Sequence, residues 1–278
     1  MDIQALFSVK DKVVLVTGGS RGIGEMIATG FVQGGAKVYI SSRSAKACDE
    51  VAAKLNALGP GKCIALPADL QSIEDIKRLV EELSKREDRK YINIDRRNIT
   101  DIIQDLDVLV NNAGATWGAP LDEYPDAAFQ KVMNLNVTRI FTLTQACLPL
   151  LRAKATAENP SRVINIGSIN GISAPGMETY AYSSSKAAVH HLSRHLAGRL
   201  GREHILVNAI APGSFPSKMM AATLKQFGDV IVAGVPVGRI GSPEDIAGTC
   251  IYLASRAGQY TAGAVITVDG GALQGSKL

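Results

Sequence analysis

Short apolar runs separated by longer amphipathic stretches set the pattern of this chain. Residues 13–16 (VVLV) form one continuous apolar run, and Ile23, Ile27 and Phe31 then recur at helical spacing. The run reads as a buried strand and the stretch after it as a helix. Between them lies the turn Thr17-Gly18-Gly19-Ser20-Arg21-Gly22-Ile23-Gly24. Further strands are expected at 37–41 (KVYIS), 63–67, 107–110, 162–167 (RVINIG), 205–210 (ILVNAI) and 264–268. Helices are expected at 45–58, 72–89, 126–152, 180–201 and 242–255, the last opened by Ser242-Pro243-Glu244-Asp245. The 126–152 helix carries Pro149, where an irregularity is expected.

One stretch interrupts this succession. Residues 90–105 (KYINIDRRNITDIIQD) have apolar positions of their own at Ile92, Ile94, Ile99, Ile102 and Ile103. They read as a surface hairpin, a longer helix or an interaction element, and a tolerated excursion is the simplest account. The sequon Asn98-Ile99-Thr100 has no consequence in a protein that is not secreted.

A chain of 278 residues, 46% of them hydrophobic, is read as one domain with a large core. Its net charge of +4 comes from 30 basic and 26 acidic residues scattered without a basic stripe, so nucleic acid is not an expected partner. No apolar run approaches the roughly 18 residues that span a bilayer. The start MDIQALFSVKDK lacks the basic-then-apolar order of a secretion signal, so a soluble, non-secreted protein is expected. Cys48, Cys63, Cys147 and Cys250 are far apart and read as reduced, mostly buried thiols. His191 and His195 stand four apart, but without the H-E-x-x-H motif they read, with His190, as a surface or interface face of a helix. No metal is expected. Ser276-Lys277-Leu278 matches the peroxisomal address read by an import receptor, so a peroxisomal location is expected, and otherwise a cytoplasmic one.

The candidate chemistry begins at the glycine turn. Glycines let backbone approach a pyrophosphate, and the first N–H groups of the following helix point at it with the positive end of the dipole behind them. Gly18, Ser20, Arg21, Gly22, Ile23 and Gly24 are therefore candidate cofactor contacts, although Gly-x-x-x-Gly-x-Gly departs from G-x-G-x-x-G. An NAD site would place Asp or Glu at the end of the second strand to accept from the ribose 2′-OH. Arg43 stands there instead, and with Arg21 it suits a 2′-phosphate, which points to NADP(H). Asp69, followed by Leu70, either meets an adenine amino group or caps the helix that begins near Ser72. Asn112, Ala113 and Gly114 close a strand at the carboxyl edge, where open sheets bind ligands. Asn134 and Asn136 interrupt an apolar helix face, and at least one of them requires a specific partner. Ser168 ends the fifth strand, Tyr182 and Lys186 share a helix face, and Pro212-Gly213 turns out of the sixth strand.

This ordered set resembles the short-chain dehydrogenase/reductase family, and its overall pattern is similar to the 3-oxoacyl reductase and carbonyl reductase branches. The resemblance covers nearly the whole chain except 90–105. It implies a Rossmann-type, doubly wound α/β domain with seven mostly parallel strands in the order 3-2-1-4-5-6-7 and helices on both faces. It implies a homodimer or homotetramer assembled through the helices at 126–152 and 180–201.

The resemblance also assigns Ser168, Tyr182, Lys186 and Asn136 as the catalytic set. A phenol has a reference pKa of about 10, and an adjacent ammonium favours its ionised form. Tyr182 is then the proton donor in reduction, Ser168 steadies the carbonyl oxygen, and Lys186 binds the nicotinamide ribose. Asn136 is implied to hold a water linking Lys186 to solvent. Tyr180 is a second phenol nearby, but only Tyr182 has the spacing to Lys186. Pro212 and Gly213 complete the cofactor contacts. Residues 214–238, with Phe215, Met219, Met220, Leu224 and Phe227, correspond to a substrate lid, and ordinary core packing explains the same side chains equally well. The expected reaction is NADPH-dependent reduction of a ketone, either a 3-oxoacyl thioester or an apolar carbonyl, to a secondary alcohol. Oxidation of a polyol or sugar acid with NAD(P)+ is the alternative. The complete catalytic set disfavours a cofactor-sensing module without turnover.

Overall fold

The computed structural model describes residues 1–86, 88–90 and 102–275. A short helix α1 (Ile3–Leu6) precedes β1 (Val13–Thr17), α2 (Gly22–Gln33), β2 (Lys37–Ser41), α3 (Ala45–Asn56), β3 (Lys62–Ala65) and α4 (Ile73–Arg86). After β4 (Asp88–Lys90) and β5 (Ile102–Gln104) come β6 (Val108–Asn111), α5 (Asp126–Met133) and α6 (Arg139–Arg152). The chain continues through β7 (Ser161–Ile166), α7 (Tyr180–Leu200), β8 (Ile205–Pro212), α8 (Ala221–Ala233), α9 (Pro243–Ala254) and β9 (Val265–Val268). Seven strands form one sheet in the order β3-β2-β1-β6-β7-β8-β9, and every pairing in it is parallel. This is the expected doubly wound order, with β4 and β5 outside the sheet.

Alternation along the strands divides the core in two. Val14 and Val16 face Ile27 and Phe31 of α2, Leu55 of α3 and Leu253 of α9. Val13 and Leu15 face Leu79 of α4, Leu143 and Leu151 of α6, and Leu200 of α7. A strand covered on both sides has no use for a polar face, which is why its sequence is an unbroken apolar run.

Several boundaries differ from the sequence expectation. β3 covers Lys62–Ala65, ending before Pro67. α4 begins after Ser72, whose Oγ accepts from the Asp75 N–H at 3.1 Å, and it ends at Arg86 because the chain enters β4 two residues later. β4 and β5 pair antiparallel, Asp88 with Gln104 and Lys90 with Ile102, so the base of the 90–105 stretch is a hairpin stem. Ile92, Ile94, Ile99 and the sequon at Asn98 lie outside the described residues. The expected 126–152 helix is two helices joined by a π-helical turn at Asn134–Thr138. Its irregularity lies there, while α6 runs on through Pro149, which forgoes one helical hydrogen bond, that to the Gln145 carbonyl. Among the described helices, none is long and apolar enough to cross a membrane.

Candidate active site

Six neighbouring parallel strands, β3, β2, β1, β6, β7 and β8, deliver their carboxyl ends to one edge, and every candidate motif follows one of them. The turn after β1 is clamped by the segment after β6. Thr17 Oγ1 accepts the N–H groups of Asn112 and Ala113 at 2.9 and 3.1 Å and donates to the Val110 carbonyl at 3.2 Å. Asn112 Nδ2 donates to the carbonyls of Thr17 and Gly18 at 2.8 and 3.3 Å. Gly18 takes a φ of +65°, and a Cβ on Gly24 would stand 2.3 Å from the Gly18 oxygen and 2.5 Å from Asn112 Nδ2. Asn112 thus holds the shape of the glycine turn.

The N-terminus of α2 has no side-chain cap, so its first N–H groups are left for a ligand beside backbone that no Cβ obstructs. Ser20 and Ser42 share a 2.9 Å hydroxyl hydrogen bond, which draws the turn against the end of β2. Arg21 and Arg43, each adjacent to one of these serines, are both exposed there. A cradle of uncapped N–H groups flanked by two guanidinium groups fits a pyrophosphate with a further phosphate. Asp69 does not cap α4; Ser72 does, and Asp69 accepts from the Gln71 N–H at 3.0 Å while its own N–H donates to Asp75 at 2.8 Å. Leu70 is buried next to it.

The second half of the site joins β7 to α7. Ser168 caps the short 3-10 turn Ile169–Gly171, its Oγ accepting from Asn170 N–H at 3.1 Å, and the Ser168 side chain is also the polar neighbour that lowers the Tyr182 phenol. Burial raises the Tyr182 phenol above its ordinary value, and the Ser168 contact opposes that rise only in part. This differs from the expectation that the neighbouring Lys186 ammonium favours the ionised phenol: burial sets the direction of the shift. Lys186 Nζ donates to the Ile166 carbonyl at 2.7 Å and lies 5.5 Å from the Tyr182 ring centre. Burial pushes its own pKa down to about 8. Tyr180 hydrogen-bonds Glu178 at 3.3 Å, and its ring meets Tyr124 edge-on, so it belongs to the rim.

Asn136, inside the π-helical turn, is fully buried. Its Oδ1 accepts from Ala115 N–H at 2.8 Å, and its Nδ2 donates to Ala115 O and Ser185 Oγ, each at 2.9 Å. Its side chain therefore holds the backbone after Gly114 against α7. Asn134, by contrast, is half-buried.

Three features escaped the sequence reading. A buried ladder runs beneath the site: Asn111 Nδ2 donates to Asn165 Oδ1 at 2.8 Å, and Asn165 Nδ2 donates to Ser193 Oγ at 2.9 Å. A lone Asn in the apolar strand RVINIG was the available signal. His190 is buried at 3% exposure and touches the Ser168 segment, so it is not part of a surface face, although His191 and His195 are exposed. The lid residues also divide: Phe215 is buried against Gly241, whereas Met219 and Phe227 are each 48% exposed. α8 breaks its helical geometry at Phe227, and Ser217 before it packs beside Gly22. Pro212 ends β8, and Gly213 N–H donates to Val268 O at 3.0 Å. All four cysteines are free and buried, and no cluster of metal-ligating side chains occurs among the described residues.

The family model described as short chain dehydrogenase matches residues 12–227. The chain belongs to the short-chain dehydrogenase/reductase family. Among its relatives in that family is the rhamnolipids biosynthesis 3-oxoacyl-[acyl-carrier-protein] reductase of Pseudomonas aeruginosa, 50% identical over 267 residues, which cover 95% of this chain and 97% of the relative. A 3alpha-hydroxysteroid dehydrogenase of Mediterraneibacter gnavus is 32% identical over 95% of this chain and 98% of its own. Among solved structures, the Pseudomonas aeruginosa RhlG/NADP active-site complex superposes with a TM-score of 0.87 at 49% identity, covering 96% of this chain and 98% of that one. The family fold and the family motifs thus coincide at one sheet edge.

Proposed function

We propose that this protein reduces a 3-oxoacyl thioester to the 3-hydroxyacyl product with NADPH. The observation that carries the reading is 50% identity, spread over 95% of the chain, to a 3-oxoacyl-[acyl-carrier-protein] reductase. Identity to the 5-keto-D-gluconate 5-reductase of Escherichia coli is only 32%, so a sugar acid is the weaker reading. The uncapped start of α2 takes the pyrophosphate, with Gly18, Ser20, Gly22, Ile23 and Gly24 around it, and Arg21 and Arg43 take the 2′-phosphate. Asp69, Leu70, Asn112, Ala113, Gly114, Pro212 and Gly213 line the remainder. When bound, the nicotinamide supplies the hydride.

The chain's own residues supply the proton. Tyr182, kept protonated by burial, donates it to the carbonyl oxygen, and Ser168 hydrogen-bonds the same oxygen as charge develops on it. Lys186 binds the nicotinamide ribose and, when protonated, favours the phenolate left behind. Asn136 keeps the residue 115 backbone and α7 in register. The exposed Met219 and Phe227 offer an acyl chain an apolar wall. Purified protein assayed for NADPH consumption against 3-oxoacyl thioesters, cyclic ketones and keto sugars decides the reading. The thioesters are expected to give the highest kcat/KM; a keto sugar in that place overturns the proposal.

One domain is proposed for the whole chain, assembled as a homodimer or homotetramer through α5, α6 and α7, which sedimentation tests. Ser276-Lys277-Leu278 lies outside the described residues. We propose that, where it stands at the free carboxyl end, an import receptor reads it as a peroxisomal signal. A fluorescent fusion that keeps that end free is expected in peroxisomes, and diffuse cytosolic signal overturns this.

A further inference from the structure

His190 stands on α7 one turn beyond Lys186 and two beyond Tyr182, so the three side chains share a face. Lys186 and His190 grip successive parts of the strand end that carries the site serine. Lys186 Nζ donates to the carbonyl of Ile166 at 2.7 Å, and His190 Nε2 accepts the N–H of Ser168 at 3.5 Å. Gly167, between these points, and Gly171, at the end of the 3-10 turn, make the approach possible. A Cβ on Gly167 would stand 2.1 Å from His190 Nε2, and one on Gly171 would stand 2.5 Å from the Lys186 backbone and 2.9 Å from His190 Cε1. Real side chains do not pack at such distances, so the loop rests directly on the imidazole.

The protonation state suits this contact. An imidazole nitrogen that accepts leaves the ring proton on the other nitrogen, and the ring's interaction with the Gly171 backbone is of the kind a carbonyl makes with that donor. The charged groups acting on the ring, Lys186 and Arg194, are both cations and add to the effect of burial, which keeps the ring neutral. The neutral ring can hold an N–H on one side and a carbonyl on the other, spanning the turn that Ser168 caps.

We propose that His190 is a positioning residue for Ser168, fixing the backbone turn that aims the Ser168 hydroxyl at Tyr182. The inference rests on reading Ser168 and Tyr182 as the reacting pair. It explains why the imidazole is buried and why the two glycines have no room for a side chain.

The test compares His190→Leu and His190→Gln in the wild-type and Ser168→Ala backgrounds, by NADPH-dependent reduction and by thermal unfolding. His190→Leu is expected to lower kcat about 10- to 100-fold, the scale of a misplacement near 1 Å, with the KM for NADPH unchanged. His190→Gln, which carries an acceptor near the place of Nε2, is expected to restore most of that loss. In the Ser168→Ala background the Leu substitution is expected to have no further effect. The alkaline limb of kcat should also move to higher pH in His190→Leu, since the Ser168 contact that lowers the Tyr182 phenol is loosened. Should the Leu variant fail to fold, His190→Gln against His190→Asn gives the same contrast, because the shorter amide withdraws the acceptor. Wild-type kcat in His190→Leu, or an equal loss in the Ser168→Ala background, overturns the proposal. Full turnover in Ser168→Ala alone overturns the reading of the site beneath it.

Discussion

The Lys186 ammonium donates to the Ile166 carbonyl at 2.7 Å while standing 5.5 Å from the centre of the Tyr182 ring. One buried cation therefore spans the strand end before Ser168 and the helical turn that carries Tyr182. Its burial has a cost, because a charge removed from water is disfavoured unless paired, and its hydrogen-bond partner is a neutral carbonyl.

That cost has a sign that pH reveals. Burial lowers Lys186 to about 8, against 10.5 for the free side chain. Between those values the unfolded chain binds a proton that the folded protein does not, so the stability attributable to Lys186 rises with pH across that window. The penalty is fully present below about 8. Comparing wild type with Lys186→Met by urea unfolding near pH 7 and near pH 9.5, the difference is expected to shift in favour of wild type at the higher pH. A difference that stays flat would show that the lysine is not desolvated as the geometry indicates.

Tyr182→Phe keeps the ring and removes the proton. Turnover is expected to fall by about 10²- to 10⁴-fold, the range for loss of a positioned general acid. NADPH binding, measured by fluorescence titration, should change less than about three-fold, because uniform binding does not depend on the transferred proton. Near-wild-type turnover would move the proton donor elsewhere, Tyr180 being the next phenol to test.

Strands covered on both faces, such as β1, announce themselves as apolar runs, and the i, i+4 spacing of Tyr182 and Lys186 is fixed by helix geometry alone. Those parts were legible in the sequence. The π-helical turn at Asn134–Thr138 was not, since no Gly or Pro marks it; it accompanies the pinning of Asn136 to Ala115 and Ser185, which are distant in sequence. Pro149 gave a local signal that the fold overrides. The burial of His190 is hidden for the same kind of reason, because the pattern with His191 and His195 suggests a polar face while burial is decided by the loop after β7. The Asn111–Asn165–Ser193 ladder likewise exists only once β6, β7 and α7 are neighbours.

Cofactor choice is expected to hinge on Arg43. It is exposed at the end of β2, joined to the glycine turn through Ser42 and Ser20. A charge-assisted hydrogen bond to a phosphate contributes about 1.5–3 kcal/mol, so Arg43→Ala should raise the KM for NADPH by roughly 10- to 100-fold. The KM for NADH, which lacks that phosphate, should stay within about two-fold of wild type. Equal losses with both cofactors would mean that Arg43 supports the loop and does not read the phosphate.

Two glycine-to-alanine changes inside helices are expected to act in opposite directions. At Gly248 in α9 the residue is exposed and a Cβ meets nothing within 4 Å, so alanine adds helix propensity without cost. Gly248→Ala should stabilise by about 0.4–1 kcal/mol, mainly by restricting the unfolded chain. At Gly24 in α2 the same methyl group would stand 2.3 Å from the Gly18 oxygen and 2.5 Å from Asn112 Nδ2. Both atoms belong to the clamp that shapes the cofactor turn, so relief requires the turn to move away from α2. Gly24→Ala should therefore destabilise by about 1–3 kcal/mol, the usual cost of overpacking, and weaken NADPH binding as the N–H cradle opens. Thermal unfolding of the two variants, each with and without NADPH, separates the effects. Gly248→Ala should keep the full ligand-induced rise in Tm, and Gly24→Ala should lose much of it. A Gly24→Ala protein with an undiminished rise would show that the glycine serves packing of α2 on β1 and β6 and not the shape of the nucleotide turn.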